Sequence, residues 1–331
     1  MVFHITALEE IKMADKRYHD ENLFRRYEGN PILTPDKWPY PVNTVFNPAA
    51  AQAGAQTVLL VRVEDRFGVS HLTVARSKDG KTGWAVDKSP TLPPDPENYP
   101  EEILGIEDPR ITWLPELKVW AVTYTSFSTD GPLVSLATTK DFKRFRRLGP
   151  VLRPVDKDAA LFPRRIGGSW VMIHRPVLSP SQPAHMWMSF SPDLKHWGDF
   201  KIFMRTRGGN AWDGAKLGLC PQPLETPEGW LILYHGVRET CSSSIYRVGL
   251  ALLDLKEPWK VKRRSRSWVL APLAPYEKFG DVGDVFFSGG WIHDKASDEL
   301  RVYYGGADTC VALATAGMKD VLSYIKKCPA G

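Results

Sequence analysis

Ala137-Thr138-Thr139-Lys140-Asp141 reads as the end of a β-strand running into a polar turn, and the pattern recurs along the chain. It returns as Ala75-Arg76-Ser77-Lys78-Asp79, Ser189-Phe190-Ser191-Pro192-Asp193 and Ala251-Leu252-Leu253-Asp254, with the aspartates 62, 52 and 61 residues apart. A fifth copy lacking the aspartate, Ala312-Leu313-Ala314-Thr315, follows about 60 residues later. Each copy is preceded by an apolar strand (57–62, 119–125, 170–175, 230–235 and 300–304), and each of those by a further short strand (46–47, 108–113, 159–163, 216–221 and 284–288). Four-stranded units repeated every 50 to 60 residues predict an all-β fold, a five-bladed β-propeller. A β-sandwich with chance spacing is the alternative.

Helical patterning is confined to the ends. Thr6-Ala7-Leu8-Glu9 is a capping box that opens a surface helix over residues 6 to about 26, and helical periodicity returns only over 318–327. The expected division is a helical extension at 1–29, a propeller at 30–317 that closes without that extension, and a C-terminal helix and tail at 318–331. The few apolar residues of the first helix need cover, so it is expected to dock on the body or on a second subunit and to favour a homo-oligomer.

The composition of the 331 residues, 43% hydrophobic and 24% charged, is that of a globular protein. A net charge of +5, spread along the chain, argues against nucleic acid as a partner. No apolar run reaches the roughly 18 residues of a membrane span, and no secretory leader is legible, so a cytoplasmic protein is expected. Cys220, Cys241, Cys310 and Cys328 lack metal or redox spacing and read as reduced thiols. The 12 tryptophans suit either a β core or the stacking of sugar rings.

Within this frame Gly105-Ile106-Glu107-Asp108-Pro109-Arg110 stands out. Pro109 should bias Asp108 towards extended geometry and hold its carboxylate where a strand begins, a placement suited to a proton donor. The plainer alternative is an Asp-Pro turn with a surface ion pair. Because propeller blades deliver their inner strands to one channel, residues at equivalent repeat positions should meet there. Those near the first strands are Asn47, Asp108, Lys157 with Asp158, Lys216 and Asp284; those at the ends of the next strands are Arg62, Tyr124, His174-Arg175, Tyr234-His235 and Asp308. Lys157, Arg175, Lys216 and His235 come from successive blades, with Tyr246 following, and offer charged and neutral donors to an anion. No competing site is legible. Gly80-Lys81-Thr82 lacks the upstream glycine of a phosphate loop, and neither a serine elbow nor a His-Glu-x-x-His zinc motif is present.

Several stretches together resemble glycoside hydrolase family 130, the β-mannoside phosphorylases. They include Asn30-Pro31-Ile32, Val45-Phe46-Asn47, Glu107-Asp108-Pro109-Arg110, Leu161-Phe162-Pro163-Arg164, His174-Arg175-Pro176, Lys216-Leu217-Gly218, Tyr234-His235-Gly236-Val237 and Ala307-Asp308-Thr309. The resemblance implies a five-bladed propeller. It implies Asp108 as general acid, acting through the 3-hydroxyl of the sugar, and Lys157, Arg175, Lys216, His235 and Tyr246 as phosphate ligands. Asn47, Arg62 and Asp308 would bind the terminal mannosyl unit. Lys157 stands where similar phosphorylases can carry Arg, which keeps the charge but loses the planar fork.

The implied reaction is inverting phosphorolysis of a terminal β-D-mannoside to α-D-mannose 1-phosphate. Its expected partners are a β-mannoside oligosaccharide and inorganic phosphate as co-substrate, with no cofactor and no metal. Two alternatives stay open: an inverting β-mannosidase using Asp158 or Asp284 as base, and a non-catalytic sugar-binding propeller.

Overall fold

The computed structural model describes residues 23–179, 182–241 and 243–331. Five antiparallel sheets follow one another along the chain as propeller blades. Blade 1 comprises Thr44–Ala53, Gln56–Glu64, Ser70–Ser77 and Ala85–Val86; blade 2 comprises Ile106–Leu114, Val119–Ser128, Gly131–Thr139 and Phe145–Pro150. Blade 3 comprises Asp156–Leu161, Trp170–Pro176, Met186–Ser191 and Gly198–Met204. Blade 4 runs from Lys216–Leu219 through Gly229–Glu239 and Ser244–Leu253 to Val261–Arg264, with Leu224–Thr226 added beside its second strand. Blade 5 holds Phe286–Asp294, Glu299–Gly306 and Cys310–Gly317, and its fourth strand is Arg25–Arg26.

The repeated aspartate has one job in four blades. Asp79, Asp141, Asp193 and Asp254 each place Oδ1 under two backbone N–H groups, those of residues two and three further on, at 2.8–2.9 Å. Such an Asx-type turn lets the chain leave the third strand tightly, which is why the residue recurs at that register.

Arg25–Arg26 alter the expected boundaries. Arg25 pairs with Thr315 and Arg26 with Ala314, so the last blade is completed from the N-terminal side of the chain, and Leu23 and Phe24 are buried against blades 4 and 5. The expectation that the propeller closes without this segment, and that helix continues to residue 26, is corrected: an unpaired outer edge on Cys310–Gly317 is covered by these two residues. The rest of the N-terminal helix, with its capping box and its proposed subunit contact, lies outside the described residues. At the other end Met318–Lys327 is helical and buries Met318, Val321 and Ile325 in the same cluster.

Apolar residues gather between adjacent blades, one cluster for each of the five blade interfaces. Trp170, Trp230 and Trp291 are spent there, so much of the tryptophan signal belongs to the core. The axis is thereby left to polar side chains. No cysteine is bonded to another, and no helix among the described residues is long and apolar enough to cross a membrane.

Candidate active site

Four of the five innermost strands break register at the same point. The slip falls between Phe46 and Ala49, Glu107 and Arg110, Lys157 and Ala160, and Phe287 and Gly290. In each, two residues face one on the neighbouring strand, which is a β-bulge, and the first residue of the pair is Asn47, Asp108, Asp158 or Ser288. Asn47, Asp108 and Asp158 have φ of 43°, 46° and 56°, a left-handed conformation that Asn and Asp tolerate better than other side chains. The extended geometry expected of Asp108 is therefore corrected: the bulge overrides the preference set by Pro109.

The three bulge residues anchor two linked groups. In the first, Asp108 Oδ1 accepts from Asn47 Nδ2 at 2.9 Å and from Arg62 Nη1 at 3.1 Å. Arg62 also donates from Nη2 to Glu107 Oε1 at 3.0 Å, and Glu107 Oε2 accepts from Lys157 Nζ at 3.2 Å. Phe46, one residue before the first bulge, lies under the Arg62 guanidinium at 4.6 Å. In the second group Asp158 Oδ2 accepts from Arg175 Nε and Nη2 at 2.9 and 2.7 Å, while Oδ1 accepts from Arg110 Nη2 at 3.2 Å. His235 Nε2 stands 3.4 Å from Asp158 Oδ2. Arg110 joins the groups, because its other N–H groups donate to the main-chain carbonyls of Asp108, Leu219 and Cys220.

Gly218 makes room for the second group. It pairs with His235, and a Cβ there would collide with the His235 ring and the Asp158 carboxylate.

Charge states follow from these neighbours. Burial pushes the Asp108 carboxyl up, but Arg62, Lys157 and Arg110 outweigh it and hold it below its ordinary value. Asp158 is depressed in the same way, burial being overcome by Arg175, His235 and Arg110. Burial lowers His235 to about 4 despite the Asp158 charge, so at neutral pH its contact with Asp158 is that of a neutral ring. Burial lowers Lys157 as well, but Glu107, Asp108 and Asp158 more than restore it, and it remains an ammonium.

The remaining candidates stand further out. Tyr246 packs its ring against His235 at 5.6 Å, and burial raises its phenol, which keeps it a donor. Lys216 lies on the innermost strand of blade 4, but its ammonium pairs with Glu239 at 3.3 Å, and among the described residues it has no hydrogen bond to the Asp158 group. Asp308 lies just beyond the second strand of blade 5 with φ 49°. Asp284 precedes the innermost strand of that blade; its carboxylate pairs with Lys278 at 2.6 Å and its main-chain carbonyl accepts from the Tyr246 N–H at 3.2 Å. Tyr124, also read as channel-lining, faces the cluster between blades 1 and 2 and donates to Glu102 at 2.8 Å. Sequence reasoning placed Glu107 and Arg110 only as flanking charges; both are structural members of the site.

Asp308 offers a test through stability. Burial, and then the Asp108 charge, push its carboxyl up to about 7, against the opposing pull of Arg62 and Lys157. An unfolded Asp titrates near 3.9, so between about pH 4 and 7 the native state binds more protons and stability falls as pH rises. Asp308→Asn should therefore raise the melting temperature at about pH 8, by up to ~4 kcal/mol of stability, and change little at about pH 4. Equal shifts at both pH values would remove Asp308 from this electrostatic group.

Comparison with known proteins agrees with this architecture. The profile of the family described as beta-1,4-mannooligosaccharide phosphorylase matches residues 14–327. The beta-1,4-mannooligosaccharide phosphorylase of Ruminococcus albus is 35% identical over 328 residues, covering 97% of this chain and 96% of that protein. The 1,2-beta-oligomannan phosphorylase of Thermoanaerobacter sp. is 35% identical over 311 residues, covering 90% and 98%. The structure of beta-1,2-mannobiose phosphorylase from Listeria innocua in complex with beta-1,2-mannobiose superposes with a TM-score of 0.83 at 31% identity, covering 92% of this chain and 99% of that one. With the profile spanning nearly the whole sequence and the same five blades in its relatives, the chain belongs to glycoside hydrolase family 130.

Proposed function

We propose that the protein cleaves a terminal β-D-mannoside by inverting phosphorolysis and releases α-D-mannose 1-phosphate. The observation that carries this reading is the state of Asp158, which is clamped by Arg175 and Arg110 and depressed by them. Inverting hydrolysis needs a second carboxylate free to deprotonate water, whereas phosphate attacks without a base. Asp158 is a poor base in that clamp, and Asp284 is turned towards Lys278. The relatives named as mannoside phosphorylases support the same reading.

In the proposed reaction a phosphate oxygen attacks C1 of the mannosyl unit as the glycosidic C1–O bond breaks. The departing oxygen takes the proton of Asp108, passed through the mannosyl 3-hydroxyl, and the anomeric configuration inverts. Asn47, Arg62 and Asp308 would hold the mannosyl unit. Lys157 and Arg175, with His235 and Tyr246 as neutral donors, would hold phosphate, and Lys216 would reach it by exchanging its Glu239 partner. Fixed donors around the developing charge lower the barrier without reorganising during the step.

In this scheme the depressed Asp108 takes up a proton from solvent when the charge of the co-substrate arrives. A phosphate dianion on Lys157 and Arg175 offsets the cations that lower Asp108, so anion and proton bind together. Turnover of a β-mannobiose should therefore require inorganic phosphate. Mass spectrometry or an enzymatic assay should find mannose 1-phosphate, with no reaction in phosphate-free buffer. Release of free mannose at the same rate without phosphate would establish the hydrolase instead.

A further inference from the structure

A cavity behind the cationic pair of blade 3 has no part in the chemistry above. Asp156 precedes Lys157 and His174 precedes Arg175, so strand alternation turns Asp156 and His174 to the opposite face of the blade. There His174 Nδ1 and Asp156 Oδ2 lie 2.7 Å apart. Trp187 is the cross-strand partner of His174, and Phe200 stands edge-on to the His174 ring with centroids 5.9 Å apart. With Leu178 and Trp197 these residues line a cavity of about 580 Å³, inside the size range of small-ligand sites.

Two independent features mark this cavity as built for a ligand. His174 and Asp156 are only 2% and 4% exposed, yet among the described residues His174 Nε2 and Asp156 Oδ1 have no hydrogen-bond partner. Buried polar atoms are normally satisfied, so two side by side in one cavity call for an occupant. Around them the rim is apolar where solvent would favour polar groups: Leu178 is 73%, Phe200 51% and Val155 39% exposed.

A saccharide ring answers both features, with C–H faces for Trp187 and Phe200 and hydroxyls for His174 and Asp156. An anion does not, because a carboxylate is one of the two unpaired groups. We propose that this cavity is a second saccharide site, holding an outer unit of a manno-oligosaccharide whose terminal mannosyl unit lies at Asp108. This rests on the proposed reaction, in which the channel takes the chain end and the remainder leads outward. Asp156 and His174 are one residue from Lys157 and Arg175 at the same end of blade 3, so the cavity adjoins the cationic pair across that blade.

The test compares a disaccharide with a hexasaccharide of the β-mannosyl linkage that the enzyme turns over. Phe200→Ala alters an exposed side chain and should lower kcat/KM for the hexasaccharide about fivefold or more, leaving the disaccharide within about twofold; Phe200→Trp should restore it. His174→Gln should act in the same direction. A loss equal for both lengths, or none, overturns the proposal. A binding arm separates this from the reaction itself: calorimetry of full-length Asp108→Asn with each β-1,4- and β-1,2-linked hexasaccharide in phosphate-free buffer. Adding Phe200→Ala should weaken that binding about fivefold or more. If no β-mannoside is phosphorolysed the proposed reaction fails, while hexasaccharide binding that is absent, or indifferent to Phe200→Ala, overturns the second site.

Discussion

Asp108→Asn should leave a folded protein that has lost most of its turnover, about 100- to 10,000-fold, on a mannoside with an unactivated leaving group. The amide is nearly isosteric with the acid, and its oxygen can still accept from Asn47 and Arg62, which hold Asp108 at 2.9 and 3.1 Å. Arg62 also keeps Glu107 at 3.0 Å, so no buried guanidinium is left alone. What disappears is a proton that can be given to the departing oxygen. The effect belongs in kcat more than in KM, because the acid acts as the bond breaks and the mannosyl contacts survive. An activated aryl mannoside needs little protonation and should lose far less, which separates a missing acid from a distorted site. A loss below about tenfold on the unactivated substrate would remove Asp108 from the role. Phosphate binding to the wild type should also take up protons, since the dianion offsets the cations that depress Asp108; Asp108→Asn should abolish that share of the uptake.

The blades were legible because their repeated turn has one mechanical solution. An aspartate whose carboxylate receives two backbone N–H groups has few substitutes, so Asp79, Asp141, Asp193 and Asp254 keep a common register while the strands between them vary. The bulges were not legible, because a two-for-one slip is a relation between two strands and leaves only a polar residue among apolar ones. Asp108 stands out in the sequence through its flanking motif, whereas the equivalence of Asn47, Asp108 and Asp158 emerges only from the pairing. Strand counting placed Tyr124 one position out, since its neighbour Thr125 is the partner of Glu107 and successive side chains point oppositely. Asp284 stands two residues before the innermost strand of blade 5, where its carboxylate pairs with Lys278 and its carbonyl accepts from the Tyr246 N–H. Arg25 and Arg26 read as part of a charged helix, and two residues are too few for strand periodicity to show. Their pairing depends on an edge nearly 290 residues away in the chain.

Asp158→Ala should carry the largest cost in stability of any single change in the site, about 3–5 kcal/mol of the ~5–15 kcal/mol typical of a native fold. The carboxylate is 2% exposed and is shared by Arg110 and Arg175, themselves 1% and 9% exposed, so its removal leaves two buried guanidinium groups facing each other. The sign with pH follows from the depressed carboxyl. Its unfolded counterpart titrates near 3.9, so the stabilisation is complete above that value and fades as acid protonates the native group. The stability gap between wild type and Asp158→Ala should therefore be full at about pH 7 and narrow below about pH 4. A second readout separates positioning from bulk stability. With Asp158 gone, Arg175 loses the partner that aims it, so the KM for phosphate should rise about tenfold or more while the KM for the mannoside changes little. A ligand that binds more weakly protects less, so phosphate at one fixed concentration should raise the melting temperature of Asp158→Ala less than that of the wild type. If phosphate protects both proteins equally, Asp158 is only a core ion-pair partner and the cationic group it organises is not the phosphate site.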